Sequence, residues 1–347
     1  MRILFLGTPD FAVPALAQLA HEPDIEIAGV ICQPDRPAGR AGELRQPAVK
    51  IAALNLGLEV WQPEKIKAEA SLSWLRARRP DALVVVAYGQ ILPRGVFELP
   101  PLGAINAHAS LLPCYRGAAP IQWAIARGET ETGVTTMRIE AGLDTGPILL
   151  AEKLAIAPRE TARELSPRLA ALAARLLPPT LRGLAAGTIT PQPQDPAQAT
   201  FAPLLKREAG RIDWRRSAAQ IYNCWRGFQP WPGIFALAHG QPLIIHQCAV
   251  AESSDAPAEL PRSYARSQAG EGEAGPWNGE AKKAAPPPLA VPERLAPGEV
   301  VQFQGRVLAG CHSGSDLLEI MEVQLAGRRR MSALEFLRGQ PPGLRLE

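Results

Sequence analysis

Asn106 and His108 are the first residues in this 347-residue chain whose types and spacing could do chemistry. They lie two apart in the apolar stretch 103–109 (GAINAHA), which reads as a strand. Residues i and i+2 of a strand share a face, so a carboxamide and an imidazole project side by side. The segment that follows, Ser110-Leu111-Leu112-Pro113, ends the strand in a proline-stiffened loop. Open α/β sheets bind ligands outside such carboxyl ends. Asp144, in the glycine-bracketed turn Gly142-Leu143-Asp144-Thr145-Gly146, is the natural third member. A carboxylate beside an imidazole would balance its charged form and fix its orientation. A structural role is also open for each residue on spacing alone: Asn106 as a turn residue, His108 as a satisfied core histidine, Asp144 in an Asx-turn.

Other chemistries lack their signatures. The first strand is followed by GTPDF, with no G-x-G-x-x-G for a dinucleotide. The sequence holds no Walker A motif, no H-E-x-x-H and no G-x-S-x-G. Cysteines stand at 32, 114, 224, 248 and 311, with neither a C-x-x-C nor a zinc spacing. An odd count without pattern predicts reduced thiols in a cytosolic setting. Cys114 lies near His108 in sequence, but no motif makes it a nucleophile.

The elements that must hold these residues follow from hydrophobic periodicity. Continuous apolar runs at 2–6 and 81–87 read as buried strands, the second of the kind covered on both faces, and 25–31 and 103–109 read as further strands. Helical spacing predicts helices over 11–20, 47–56, 68–79, 118–127 and 161–184, with a short strand at 58–61. Residues 133–139 and 147–156 suggest a hairpin around 140–146, and 33–45 reads as a turn-rich loop. Strands alternating with helices imply an α/β domain with a mainly parallel sheet. Past 203 the pattern changes. A helix at 217–227 is followed by short strands at 234–238, 242–250, 299–304, 306–309 and 316–323, with a last helix at 332–337. Short strands with glycine turns predict a small β-barrel of the OB type.

Composition sharpens this division. The length suits two domains, 1–189 and 204–347, joined by a proline-rich linker over 190–203. Proline, at 35 residues, is about twice its ordinary share, and it concentrates at 252–293. That stretch offers only Leu260, Trp277, Leu289 and Val291 as large aliphatic or tryptophan anchors, so we expect a disordered insertion. Lys and Arg total 37 against 34 Asp and Glu, a formal charge of +3. This excludes a polycationic or wholly acidic chain. Outside 252–293 the second domain carries 13 basic and 8 acidic residues, a balance suited to a polyanion surface. No apolar run approaches the ~18 residues needed to cross a bilayer, and the start, MRILFLGTPDF, reads as a first strand with no leader cleavage site. We therefore expect no membrane association.

Taken together, several segments resemble the methionyl-tRNA formyltransferases. They are GTPDF at 7–11, QPDRPAGR at 33–40, VAYGQILP at 86–93, NAHASLLP at 106–113, YRGAAPI at 115–121 and GLDTG at 142–146. RIDW at 211–214, PWPG at 230–233 and AGRRRMSA at 326–333 extend the likeness through the second domain. Only 252–293 falls outside it.

The resemblance implies a Rossmann-like formyltransferase domain followed by an OB-like tRNA-binding domain. The implied reaction moves a formyl group from 10-formyltetrahydrofolate to the α-amine of methionine on initiator tRNA. Asn106, His108 and Asp144 match the family's catalytic positions. Val86, Ala87, Tyr88, Gly89, Ile91 and Leu92 match its folate cleft, as do Ser110, Leu111, Leu112 and Pro113. Arg36, Arg40 and Arg45 match its tRNA-contacting loop, and Lys206 and Arg207 open the basic second domain. The implied setting is a cytoplasmic monomer with no metal. Two departures stand out. Arg40 is followed by Ala41-Gly42-Glu43 where many relatives carry lysines, and Cys114 stands where arginine is common. Relatives that formylate a nucleotide-linked amino sugar share the constellation and remain the alternative, with an idle RNA-binding scaffold as a third reading.

Overall fold

A computed structural model describes residues 1–38, 42–251, 295–312 and 316–347. Arg40 and the expected insertion 252–293 lie outside the described residues. The chain divides into two units, Met1–Leu205 and Lys206–Glu347.

The first unit is built on a seven-stranded sheet of order β5-β2-β1-β6-β7-β8-β9. Its strands are β1 (Arg2–Gly7), β2 (Glu26–Ile31), β5 (Val60–Trp61), β6 (Ala82–Val86), β7 (Ala104–His108), β8 (Glu131–Arg138) and β9 (Ile148–Ala155). The first five pair in parallel, whereas β8 and β9 run antiparallel. Every residue of β6 (ALVVV) is buried, because layers pack on both faces. One layer contains α1 (Val13–Ala20), α2 (Ala48–Asn55), α5 (Pro120–Ala126) and α6 (Ala162–Ala185), and Leu165, Leu169, Leu172 and Leu177 of α6 point into the core. The other includes α3 (Glu69–Ala77) and a short α4 (Arg94–Phe97) that periodicity did not reveal. Thr161 and Glu164 cap α6 reciprocally, and the helix continues through Pro178 and Pro179. Two backbone donors are lost there, which the buried leucine stripe offsets.

Two sequence expectations change. The loop at 33–45 contains a hairpin of β3 (Arg36–Ala38) and β4 (Glu43–Arg45), too short and too polar to announce itself. Residues 190–203, read as a linker, are bonded along the first unit. Gln192 pairs with Ile148, and Phe201 bridges Arg116.

Arg182, in the last turn of α6, ties that helix to the segment before β2. It donates to Asp24 at 2.5 and 2.8 Å and to Glu22 at 2.5 Å. These bonds hold Asp24 down at about 2 from its ordinary 3.8, and Glu22 below its usual range. A depressed folded pKa stabilises the fold above the unfolded value, and that stability is lost as pH falls through the folded one. Arg182→Gln is therefore expected to lower the urea midpoint at pH 7. The gap from the parent should close as pH drops from about 4 toward 2, read from urea titrations at several pH values.

The second unit opens with α7 (Ala218–Gly227), capped by Ser217 and Gln220. Its antiparallel strands are β10 (Ile234–Ala238), β11 (Gln241–Val250), β12 (Val300–Phe303), β13 (Arg306–Cys311), β14 (Asp316–Leu325) and β15 (Met331–Ser332). They follow the order β10-β11-β14-β13-β12, with β15 on β14, and α8 (Ala333–Arg338) comes after them. The final residues join the two ends of this path. Val300 N–H donates to Leu344 O at 3.1 Å and Leu346 N–H to Gly298 O at 2.8 Å. Leu237 and Glu347 exchange bonds of 2.7 and 2.9 Å. The ring closes as a barrel through four residues that carry no sequence signal.

Candidate active site

Because β1, β6 and β7 are parallel, the loops after Gly7, Val86 and His108 leave the same edge of the sheet. Thr8 Oγ1 donates to Tyr88 O at 2.7 Å, and Gln33 N–H to Thr8 Oγ1 at 3.3 Å, stitching three of the connections together. Asn106 and His108 lie in β7, opposite Met137 and Thr135 of β8. His108 is buried. Its Nε2 lies 2.9 Å from the carbonyl oxygen of Tyr115. A carbonyl only accepts, so Nε2 carries the proton and Nδ1 is the nitrogen left to exchange one.

Nδ1 lies 3.7 Å from Asp144 Oδ2. Reaching that position takes a detour. The Arg138 end of β8 pairs with Ile105, roughly 10 Å from His108 along the strand. The turn after it must therefore fold back along the sheet. Asp144 does so in a left-handed conformation, φ 50°, and its Oδ2 accepts from the Gly117 N–H at 2.8 Å. Tyr115 is left-handed as well, φ 62°. Strain of this kind costs about 1–3 kcal/mol per residue and collects at functional sites. The Tyr115 hydroxyl donates to Glu129 at 2.5 Å, and its backbone N–H to Thr200 Oγ1 at 2.8 Å. Burial and the Glu129 carboxylate push its phenol above the ordinary range. Gly117, φ 120°, brings its backbone so close to Ala202 that a Cβ would lie 2.7 Å from the Ala202 oxygen.

Asn106 is different. It is half-buried, and among the described residues its carboxamide makes no hydrogen bond. The structure thus brings His108 and Asp144 together and leaves a free amide two residues along the same strand face.

The candidate folate residues divide by exposure. Val86, Tyr88, Leu92, Ser110 and Leu112 are buried, and Leu111 and Pro113 are half-buried. Ala87, Gly89 and Ile91 are exposed, with Ile91 at 94%. The Ser110 hydroxyl donates to Cys114 O at 2.6 Å, and Thr135 Oγ1 bonds both Ser110 O and Leu112 N–H. Those side chains shape the loop, while Ala87, Gly89, Ile91 and Leu111 offer surface. Among the described residues the buried Tyr88 hydroxyl has no hydrogen-bond partner, and burial pushes its phenol upward. The Cys114 thiol lies 3.9 Å from Gln198 O. Burial pushes the Cys32 thiol up to about 11, which keeps it protonated at neutral pH.

Among the candidate tRNA residues, Arg36 and Arg45 face each other across β3 and β4. Both are exposed, and Arg36 has a 3.3 Å contact with Glu64. The hairpin is anchored by Asp35, which accepts from Gln62 and Lys50 at 2.7 Å each. These two bonds lower the Asp35 carboxyl below its usual range. Lys206 and Arg207 are exposed at the start of the second unit. No group of three or more His, Cys, Asp or Glu among the described residues is placed to hold a metal. No helix among them is long and apolar enough to cross a membrane.

Residues 1–181 match the formyl transferase family, and residues 204–341 match its C-terminal domain. The chain is 48% identical to a methionyl-tRNA formyltransferase of Acidobacterium capsulatum, over 98% of this chain and 96% of that one. It is 47% identical to one of Solibacter usitatus, with the same coverage. The chain belongs to the methionyl-tRNA formyltransferase family. A solved N-formyltransferase from Helicobacter canadensis, in complex with folinic acid and dTDP-3-aminofucose, superposes with a TM-score of 0.58. It covers 92% of this chain and 98% of that one at 15% identity, which shows a shared fold.

Family membership directs attention to side chains, yet much of this site is made of groups with no side-chain signature. Tyr115 contributes a carbonyl and Gly117 an N–H. Gln194, within the proline-rich stretch, donates to the Asp144 and Gly146 carbonyls at 2.8 and 2.7 Å. A glutamine between prolines carries no periodicity that would have flagged it.

Proposed function

We propose that Asn106, His108 and Asp144 carry the transfer of a formyl group to the α-amine of methionine on initiator tRNA. The observation that supports this most directly is the free Asn106 carboxamide beside an imidazole held between a carbonyl and a carboxylate. The donor, 10-formyltetrahydrofolate, supplies an activated formyl group. As the amine attacks the formyl carbon, negative charge builds on the formyl oxygen. The Asn106 N–H faces that charge, and it needs no prior bond to be broken. His108, its Nε2 proton committed to Tyr115, uses Nδ1 to exchange the proton that must leave the amine and reach the departing folate nitrogen. Asp144 balances the imidazolium during the exchange. Proton and leaving group therefore balance within one turnover.

The folate surface we assign to the loops after β6 and β7 fits a flat, amide-edged ring. Ile91 and Leu111 offer apolar faces, and Ala87 and Gly89, exposed and at positive φ, offer backbone without a large side chain over it. For the acceptor, Arg36 opposite Arg45 supports a polyanion. Like charges directly across a ladder destabilise a hairpin, so a bound phosphate would relieve them. Arg40, Lys206 and Arg207 complete the proposed tRNA contacts, with phosphate and shape read rather than base edges. In this reading the protein acts as a monomer in the cytoplasm, where charged tRNA is found.

The test is formyl transfer to charged initiator tRNA, charged elongator tRNA and a nucleotide-linked amino sugar in parallel. Transfer confined to the initiator is expected. Its KM should rise about 30-fold between about 50 and 200 mM salt if roughly three phosphates are neutralised. A flat salt response with transfer to the sugar would overturn the acceptor.

A further inference from the structure

Gln194 bonds to both sides of the Asp144 turn and to nothing that a substrate would need. Its Oε1 accepts from Arg116 Nε and an Arg116 terminal nitrogen, at 3.0 and 2.7 Å. Its Nε2 donates to Asp144 O and Gly146 O at 2.8 and 2.7 Å. A guanidinium only donates and a carbonyl only accepts, so the amide orientation is fixed. Both lone pairs and both hydrogens of the amide are used. Behind it Arg116 is buried, and among the described residues it has no carboxylate partner. Its charge strengthens the bonds to Oε1 and locks the amide. In front of it the tip of the turn is open, since Ala141, Gly142 and Leu143 are exposed, and Asp144 is left-handed.

We infer that Gln194, backed by Arg116, is a positioning residue that sets the Asp144 carboxylate against His108. This rests on the assignment of Asp144 proposed above. The clamp works through backbone. It grips the carbonyls of Asp144 and Gly146, leaving the Asp144 carboxylate to bond the Gly117 N–H and face His108 Nδ1. Misplacing a reacting group by about 1 Å costs on the order of 10²-fold in rate, so a clamp of this kind acts on kcat more than on binding.

The experiment compares Gln194→Glu with the parent. The new carboxylate can still hold Arg116, but it repels the two carbonyls that the amide bonded. We expect kcat to fall about 10- to 100-fold, with KM for tRNA and folate donor changing less than about threefold. In an Asp144→Ala background the same substitution should cost nothing further, because the group it positions is gone. Gln194→Ala, which leaves room for water at Arg116 and at both carbonyls, decides the matter if the first variant does not fold. Unchanged kcat beside a crippled Asp144→Ala enzyme would overturn this inference alone, as would losses that add in the double variant. An Asp144→Ala enzyme of parental rate would overturn the catalytic assignment, and the inference with it.

Discussion

His108→Ala is expected to lower kcat about 10³-fold, and Asn106→Ala about 10²- to 10³-fold, the usual cost of losing one group aimed at developing charge. Stability should separate the two variants even where activity does not. His108 is buried, so truncating it leaves the Tyr115 carbonyl without its donor and the Asp144 carboxylate with the Gly117 N–H. One unsatisfied buried acceptor costs about 1–3 kcal/mol. The half-buried Asn106 carboxamide has no partner among the described residues, and its removal should move the melting point little. Single-turnover formylation and thermal melting on both variants check this. Near-parental rates in either would remove the proposed chemistry. A large fall in melting point for Asn106→Ala would mean that the amide holds the fold together.

The second large effect is at Gly146, two residues beyond Asp144. A Cβ there would stand 1.8 Å from the Arg138 carbonyl oxygen, far inside any real contact, and that oxygen is backbone that cannot swing aside. Only a shift of the β8–β9 connection can relieve it. Gly146→Ala should therefore cost about 3 kcal/mol, the upper end of ordinary overpacking. In a domain of this size that lowers the melting point by about 6–12 °C. Activity should fall as well, since the Gly146 carbonyl is one of the two held by Gln194. Gly95→Ala is the matched control: its Cβ meets nothing within 4 Å, and it lies in α4. Urea unfolding of the two variants compares them, and equal midpoints would show that the turn yields easily.

Burial on both faces made the parallel strands legible. A run such as Ala82–Val86 has no other stable home, and its neighbours Ile3–Leu6 and Ile105 repeat the signal. Asn106 and His108 were legible for a related reason, since two polar side chains on one face of so apolar a strand stand out. Their partners did not stand out. The Tyr115 carbonyl and Gly117 N–H are main-chain groups, and their placement depends on tertiary contacts with Thr200 and Ala202. Those contacts come from a stretch whose prolines suggest an unpaired connector. Proline removes donors but not acceptors, so Thr200 and Phe201 could still pair with Arg116. The pairing of β3 with β4 left no trace in the sequence because three-residue strands carry too few alternations to register.

The four residues that close the barrel bear on how the second unit stays in solution. Strands at the margin of a sheet present rows of unpaired amides and carbonyls that invite pairing with another chain. Here β10 and β12 would both be such margins, and residues 344–347 bond to Leu237 on one and to Gly298 and Val300 at the other. Losing those four residues would uncover two adhesive borders at once. The loss would register as aggregation on storage before it registered as lost secondary structure.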